Sequence, residues 1–105
     1  SIQREEGIAQ VLIGGDPARA PPLIRRYGCG GCHTISGVAG ADGRVGAPLD
    51  RFRQRVFIAG VLRNTPDNLR QWIVSPQVFN PRSAMPASGI TETEARDVAA
   101  FLYSR

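Results

Sequence analysis

The stretch Cys29-Gly30-Gly31-Cys32-His33 decides how this chain is read. Two thiols three positions apart, followed at once by an imidazole, form the signature for attaching a c-type haem. The spacing follows from the chemistry. Each thiol adds to one of two vinyl groups on the same porphyrin edge, so both must reach that edge from one short turn. Gly30 and Gly31 carry no side chain and let the backbone lie close to the ring. His33 then falls under the ring, where it can bind the iron. The 105 residues contain two cysteines and one histidine in all. Structural zinc wants four protein ligands, which this chain lacks by itself. A thioredoxin-like dithiol sits in a βαβ setting, and no such alternation is visible, so dithiol chemistry is the weaker reading of the pair.

Outward from this run, the pattern is helical and interrupted by loops. Asp16-Pro17 resembles a cap followed by proline at a first helical position. Pro21 and Pro22 shift the predicted helix start to near Ala20, since both prolines are tolerated only in a first turn. That helix runs through Leu23, Ile24 and Tyr27 to Gly28 and delivers Cys29. Ile8, Val11 and Leu12 suggest a short helix over residues 3–13, ended by Gly14-Gly15. Downstream, the glycine-rich residues 34–48 read as a loop around the cofactor edge. A short helical or extended stretch follows Pro48-Leu49 as far as Leu62. Thr65-Pro66 starts a helix with Leu69, Trp72 and Ile73 on one face, ended by Pro76. Pro76, Pro81, Pro86 and Gly89 mark turns across residues 76–90. Thr91 and Glu94 form a capping box, opening a last helix with Ala95, Val98, Ala99 and Leu102 on one side and its end near Tyr103. The expected class is all-α, three to five short helices and long loops wrapped around one covalent haem. Residues 1–15 are expected to be an N-terminal extension or linker stub, and residues 16–105 the domain. A domain this small is marginal unless reinforced, and a tethered porphyrin supplies a large apolar plate at its centre.

The formal charge is +4, and all 13 basic residues are arginine. Residues 1–16 carry −2, residues 17–63 carry +6 and residues 64–105 carry none. The excess therefore sits around the Cys pair and the loop after it. Haem propionates offset part of it. The rest either solvates the surface or steers an acidic partner towards the haem edge. Nucleic acid is a poor partner, because the arginines form no dense run with interleaved aromatics. No stretch approaches the roughly 18 apolar residues of a membrane span, and no signal peptide is visible. Haem attachment outside the bacterial cytoplasm leads us to expect an export signal or membrane tether outside these residues.

His33 is the one imidazole on offer to the iron. The opposite face has one thioether candidate, Met85, the sole methionine. A lone methionine is otherwise a core gap-filler. Met85, however, lies in the proline-framed loop Asn80-Pro81-Arg82-Ser83-Ala84-Met85-Pro86, which suits a ligand better. A His/Met pair raises the potential relative to harder ligands. It also leaves no open coordination position for a substrate, which suits electron transfer and argues against an enzyme.

With these residues in hand, the chain resembles the class I mono-haem cytochromes c over about residues 16–104. The resemblance rests on Cys29–His33, the Gly46-Ala47-Pro48-Leu49 segment, Trp72 with Pro76 and Pro81, Met85, and the closing helix. Residues Ile58–Leu69 are similar to bacterial cytochromes linked to haem-copper oxidases, including the cytochrome domain fused to oxidase subunit II. The resemblance implies that Pro48 offers its carbonyl to the His33 ring N–H, a bond that raises ligand basicity. It implies that Trp72 lies against the haem near the methionine, beside ordinary helix packing. Ser83 matches a hydroxyl position that bonds a propionate or supports the methionine loop. Arg55 is a candidate propionate partner, with Arg51 and Arg53 as rivals. Ala20 and Phe101 match the crossing of first and last helices. Arg82 departs from the glycine common at its position, and the lack of lysine removes the usual alkaline replacement for the methionine.

The function these features imply is one-electron carriage between a periplasmic donor and a terminal oxidase or similar acceptor, at the outer face of a bacterial inner membrane. One alternative is a haem c electron-entry domain of a larger membrane redox enzyme. Another is a gas sensor or peroxidase, which requires an open iron site.

Overall fold

The computed structural model describes residues 4, 7, 8, 14–29, 33, 38, 43, 49, 54, 57, 58, 62–83 and 85–104. Near the N-terminus, Arg4, Gly7 and Ile8 are helical. A single 3-10 turn, Pro17–Arg19, leads into helix α1, Ala20–Arg26. Asp16 caps the turn, its carboxylate accepting the Ala18 N–H at 3.0 Å. Pro21 and Pro22 fall in the first turn of α1, where no intrahelical N–H is required of them. The helix stops as expected. The Tyr27 N–H still donates to the Leu23 carbonyl at 2.9 Å, and Gly28 follows with φ of 77°, a left-handed conformation that favours glycine.

Ahead of the helix that begins at Pro66 lies a small extended element. Strands β1, Phe57–Ile58, and β2, Leu62–Arg63, pair antiparallel with Phe57 opposite Arg63 and Ile58 opposite Leu62. Successive strand residues face opposite sides, so Ile58 enters the core while Phe57 is exposed. Among the described residues the other regular elements are helical, and the all-α class holds with this ribbon added.

Helix α2, Pro66–Val74, begins as its sequence dictates. Thr65 Oγ1 accepts the Asn68 N–H at 3.1 Å, and Pro66 occupies the first helical position. Leu69, Trp72 and Ile73 are its buried face. The sequence predicts Pro76 only as the end of this helix. It also opens another, the four-residue α3, Pro76–Phe79, because a proline that cannot continue one helix is well placed at the start of the next. Helix α4, Glu92–Tyr103, carries the full capping box: Thr91 Oγ1 accepts the Glu94 N–H at 3.2 Å, and Glu94 accepts the Thr91 N–H at 3.1 Å.

Helix α4 is the centre of the packing. It lies against α1, α2 and the Pro17–Arg19 turn, and seven of its residues from Ala95 to Leu102 are buried. Ala20 and Phe101 are both buried, as expected for residues near the meeting of first and last helices. Just ahead of α1, the backbone comes closer still. A Cβ on Gly15 would stand 2.2 Å from the Arg96 carbonyl oxygen, so glycine alone fits there. Beside that contact the Asp16 N–H donates to Asp97 Oδ1 at 2.7 Å, and Asp97 is only 6% exposed.

Candidate functional site

Gly28 turns the chain out of α1 and sets down Cys29, which is half-buried and packs against the core. The Cys29 carbonyl accepts the His33 N–H at 3.0 Å. That is the helical i to i+4 bond, and it brings the thiol-bearing and imidazole-bearing residues to one side of a single turn. Cys32, Pro48, Arg55 and the rival arginines Arg51 and Arg53 lie outside the described residues, while Leu49 packs against the core.

Met85 is half-buried and rests on the same apolar cluster as Cys29, a cluster that contains Trp72. Trp72 is 6% exposed, with Leu69 and Ile73 beside it on α2. The loop that carries Met85 is held by a series of hydrogen bonds. A turn closes from the Ser83 N–H to the Asn80 carbonyl at 2.9 Å. The Asn80 side chain accepts the Arg82 N–H at 3.1 Å, which gives this arginine a partner inside the turn. Ser83 Oγ accepts the Met85 N–H at 3.2 Å. Gln77, on α3, reaches across and donates through Nε2 to the Met85 carbonyl and, at 3.4 Å, to the Ser83 carbonyl. Gln77 carries no signal in the sequence. Its partners lie six and eight residues ahead, across a turn whose closure no local pattern reveals.

The other polar contacts brace the framework around these residues. The Tyr27 hydroxyl, two positions before Cys29, donates to Glu94 Oε1 at 2.7 Å. That hydrogen bond raises the Tyr27 pKa and lowers that of Glu94, which the Thr91 backbone N–H lowers further. The Arg26 guanidinium sits 5.5 Å from the Tyr27 ring centroid. Arg70 donates to Asp67 Oδ1 at 2.6 Å and also to Glu92, tying α2 to the start of α4. The bond from Arg70, then that from Gln71, hold the Asp67 carboxyl below its usual range. At the far end of α4 the Tyr103 hydroxyl donates to Asn64 Oδ1, and burial pushes its pKa to about 12.

The donor set fits a haem c. Cys29 offers a thiol, His33 an imidazole and Met85 a thioether, with Cys29 and Met85 seated on one core. Among the described residues no group of three or more His, Cys, Asp or Glu side chains gathers to hold a metal ion by itself. Among them, too, no helix is long and apolar enough to cross a membrane.

The family model for cytochrome c matches residues 18–105. The chain belongs to the cytochrome c family. Membership carries haem-based electron transfer, with haem c as the cofactor of the family. The chain is also 35% identical over 83 residues to cytochrome c oxidase subunit 2 of Alkalihalophilus pseudofirmus, covering 78% of this chain and 23% of that protein. It is 23% identical over 107 residues to cytochrome c oxidase subunit 2 of Bacillus sp. strain PS3, covering 98% of this chain and 30% of that protein. It thus spans less than a third of the length of either curated relative. No solved structure matches it significantly.

Proposed function

We propose that the chain holds one haem c through Cys29 and Cys32, with His33 and Met85 on opposite faces of its iron, and that it passes single electrons to a haem-copper terminal oxidase at the outer face of a bacterial inner membrane. Haem c supplies a centre that gains and loses one electron. The protein's task is to keep that centre's surroundings the same in both states. Cys29 and Cys32 fix the ring by two covalent bonds. His33 binds from one side, its ring N–H directed by the Pro48 carbonyl, which makes the imidazole a stronger donor. Met85 binds from the other and favours the reduced state. Trp72 keeps water from the methionine side, Ser83 steadies the Met85 backbone, and Arg55 balances a propionate charge. The observation that carries this proposal is the bonding of the Met85 loop. Four donors, from Gln77, Arg82, Ser83 and Met85 itself, are satisfied within it, and the residue it presents packs on the core that Cys29 touches. A methionine used merely as filler needs no such mounting.

Replacing Met85 with alanine tests the assignment. The potential is expected to fall, and the reduced protein to bind carbon monoxide readily at neutral pH. An unchanged potential contradicts ligation by Met85, and free access of carbon monoxide to the parent protein points to a sensor or peroxidase.

A second reading, an electron-entry domain within a larger oxidase subunit, draws on the two subunit 2 relatives, of which this chain spans 23% and 30%. Sequencing the whole gene separates the two. A copper-binding or membrane-anchored segment in the same chain favours the entry domain, and a leader followed directly by this domain favours the free carrier.

A further inference from the structure

We infer that Gln77 is the positioning residue that sets how firmly Met85 is presented, and so how readily an outside ligand reaches the iron; this rests on the proposed ligation by Met85. The inference comes from where Gln77 is mounted. Helix α3 has only four residues, yet it is firmly seated. Pro76 is among the most deeply buried side chains, and Phe79 packs against the core. The Asn80 N–H closes on the Pro76 carbonyl at 3.0 Å, and the Val78 N–H on the Ser75 carbonyl at 3.2 Å. Val78, next in sequence, is 75% exposed and contributes nothing to the core. Gln77 is thus a half-buried amide on an anchored element, turned towards residues 83–85.

Its two contacts are to backbone carbonyls of Ser83 and Met85. Any residue type could stand at those positions and still be held, so the contact constrains the path of the loop. The other bonds of this loop, from Ser83 to Asn80, from Arg82 to Asn80 and from Met85 to Ser83, all lie within residues 80–85. They shape the loop but do not fasten it. Apart from the apolar packing of Met85 on the core, the hydrogen bonds that tie Ser83 and Met85 to an element outside residues 80–85 come from Gln77. If the amide lets go, the loop keeps its turn and swings as a unit, carrying Met85 with it. Local opening of this kind is distinct from unfolding of the domain.

The test uses the haem-loaded protein with Gln77→Leu, which keeps bulk and removes the donor, and Gln77→Glu, which at neutral pH sets a carboxylate against two carbonyls. The probe is imidazole binding to the oxidised iron. Gln77→Leu is expected to bind imidazole about five- to tenfold more tightly than the parent, the loss of roughly one net hydrogen bond, and Gln77→Glu more tightly still. On heating, both variants are expected to lose the sulfur–iron absorption band well before their helical circular dichroism. Affinities within about twofold of the parent in both variants, with Met85→Ala binding imidazole strongly, overturn the role of Gln77 and leave the ligation intact. Band and helix signal falling together in the variants also overturn it, as the effect is then on the whole fold. If Met85→Ala itself leaves imidazole binding unchanged, the ligation proposal fails and this inference with it.

Discussion

At the residue scale, the tightest constraints are on residues that look unremarkable in the chain. Gly15 has its α-carbon against the Arg96 carbonyl, with no room for a methyl group. Gly15→Ala must push the N-terminal segment off α4, and overpacking of this kind costs about 1–3 kcal/mol. Urea unfolding followed by circular dichroism is expected to show that loss with an unchanged slope. Asp97 is a second case. Its buried carboxylate accepts the Asp16 N–H, so Asp97→Ala leaves a donor without its partner at a cost of about 1–3 kcal/mol. Asp97→Asn retains an acceptor oxygen, and in the same unfolding experiment it is expected to cost less. Neither site was legible beforehand. Both depend on residues about eighty positions apart meeting in space, and a glycine pair before a proline reads locally as a helix stop. The cysteine pair, His33 and Met85 could be proposed from the sequence because chemistry restricts which side chains can do such work, whatever the fold around them.

At the element scale, legibility was highest where a local hydrogen bond defines a boundary. Thr65-Pro66 and the Thr91–Glu94 box start α2 and α4 where the sequence places them, because a cap needs only its own next three residues. Pro76 was half-read, since a proline stop and a proline start look alike until the following residues are seen to bond. The capping box gives α4 a pH dependence with a definite sign. Bonds from Tyr27 and Thr91 hold the Glu94 pKa below its ordinary value of 4.5. The folded state therefore favours the carboxylate. Its contribution is complete above 4.5 and is lost as pH falls through the lower, folded-state value. Asp67, held down from 3.8 by Arg70, acts in the same direction. Glu94→Gln is expected to flatten the acid limb of stability measured by urea titration at successive pH values. Thr91→Ala is expected to lower stability by about 1 kcal/mol at neutral pH.

The opposite end of α4 responds to alkali. The Tyr103 pKa is raised by burial from 10.0 to about 12. Its neutral form is favoured on folding, so its contribution is intact below 10 and disappears as pH rises towards 12. Tyr103→Phe is expected to be less stable at neutral pH, because the hydrogen bond from the Tyr103 hydroxyl to Asn64 is lost, and to show a shallower decline between these limits. A parallel decline in parent and variant in alkaline denaturation contradicts the assignment to Tyr103.

At the scale of the whole molecule, the domain is a small set of helices gathered on α4, with charge unevenly spread along the chain. Residues 17–63 carry +6 of a total of +4, the rest being negative or neutral. If this excess guides an acidic partner, the second-order rate of electron transfer falls steeply as salt rises from about 10 mM to 150 mM, where screening shortens from roughly 30 to 8 Å. A flat dependence indicates that the arginines only solvate the surface. The overall class was readable because the helix boundaries are local. The β1–β2 ribbon was not, because two-residue strands carry too little alternation to distinguish from loop.

The central claim is a porphyrin bound to this chain through two thioether links. The most direct measurement is the alkaline pyridine spectrum of chain matured with a haem-attachment system, recorded before and after extraction with acidified acetone. One haem per chain is expected, fully retained in the protein pellet, with the spectrum of a porphyrin whose two vinyl groups are saturated. Colourless protein, or pigment that passes into the solvent, contradicts it.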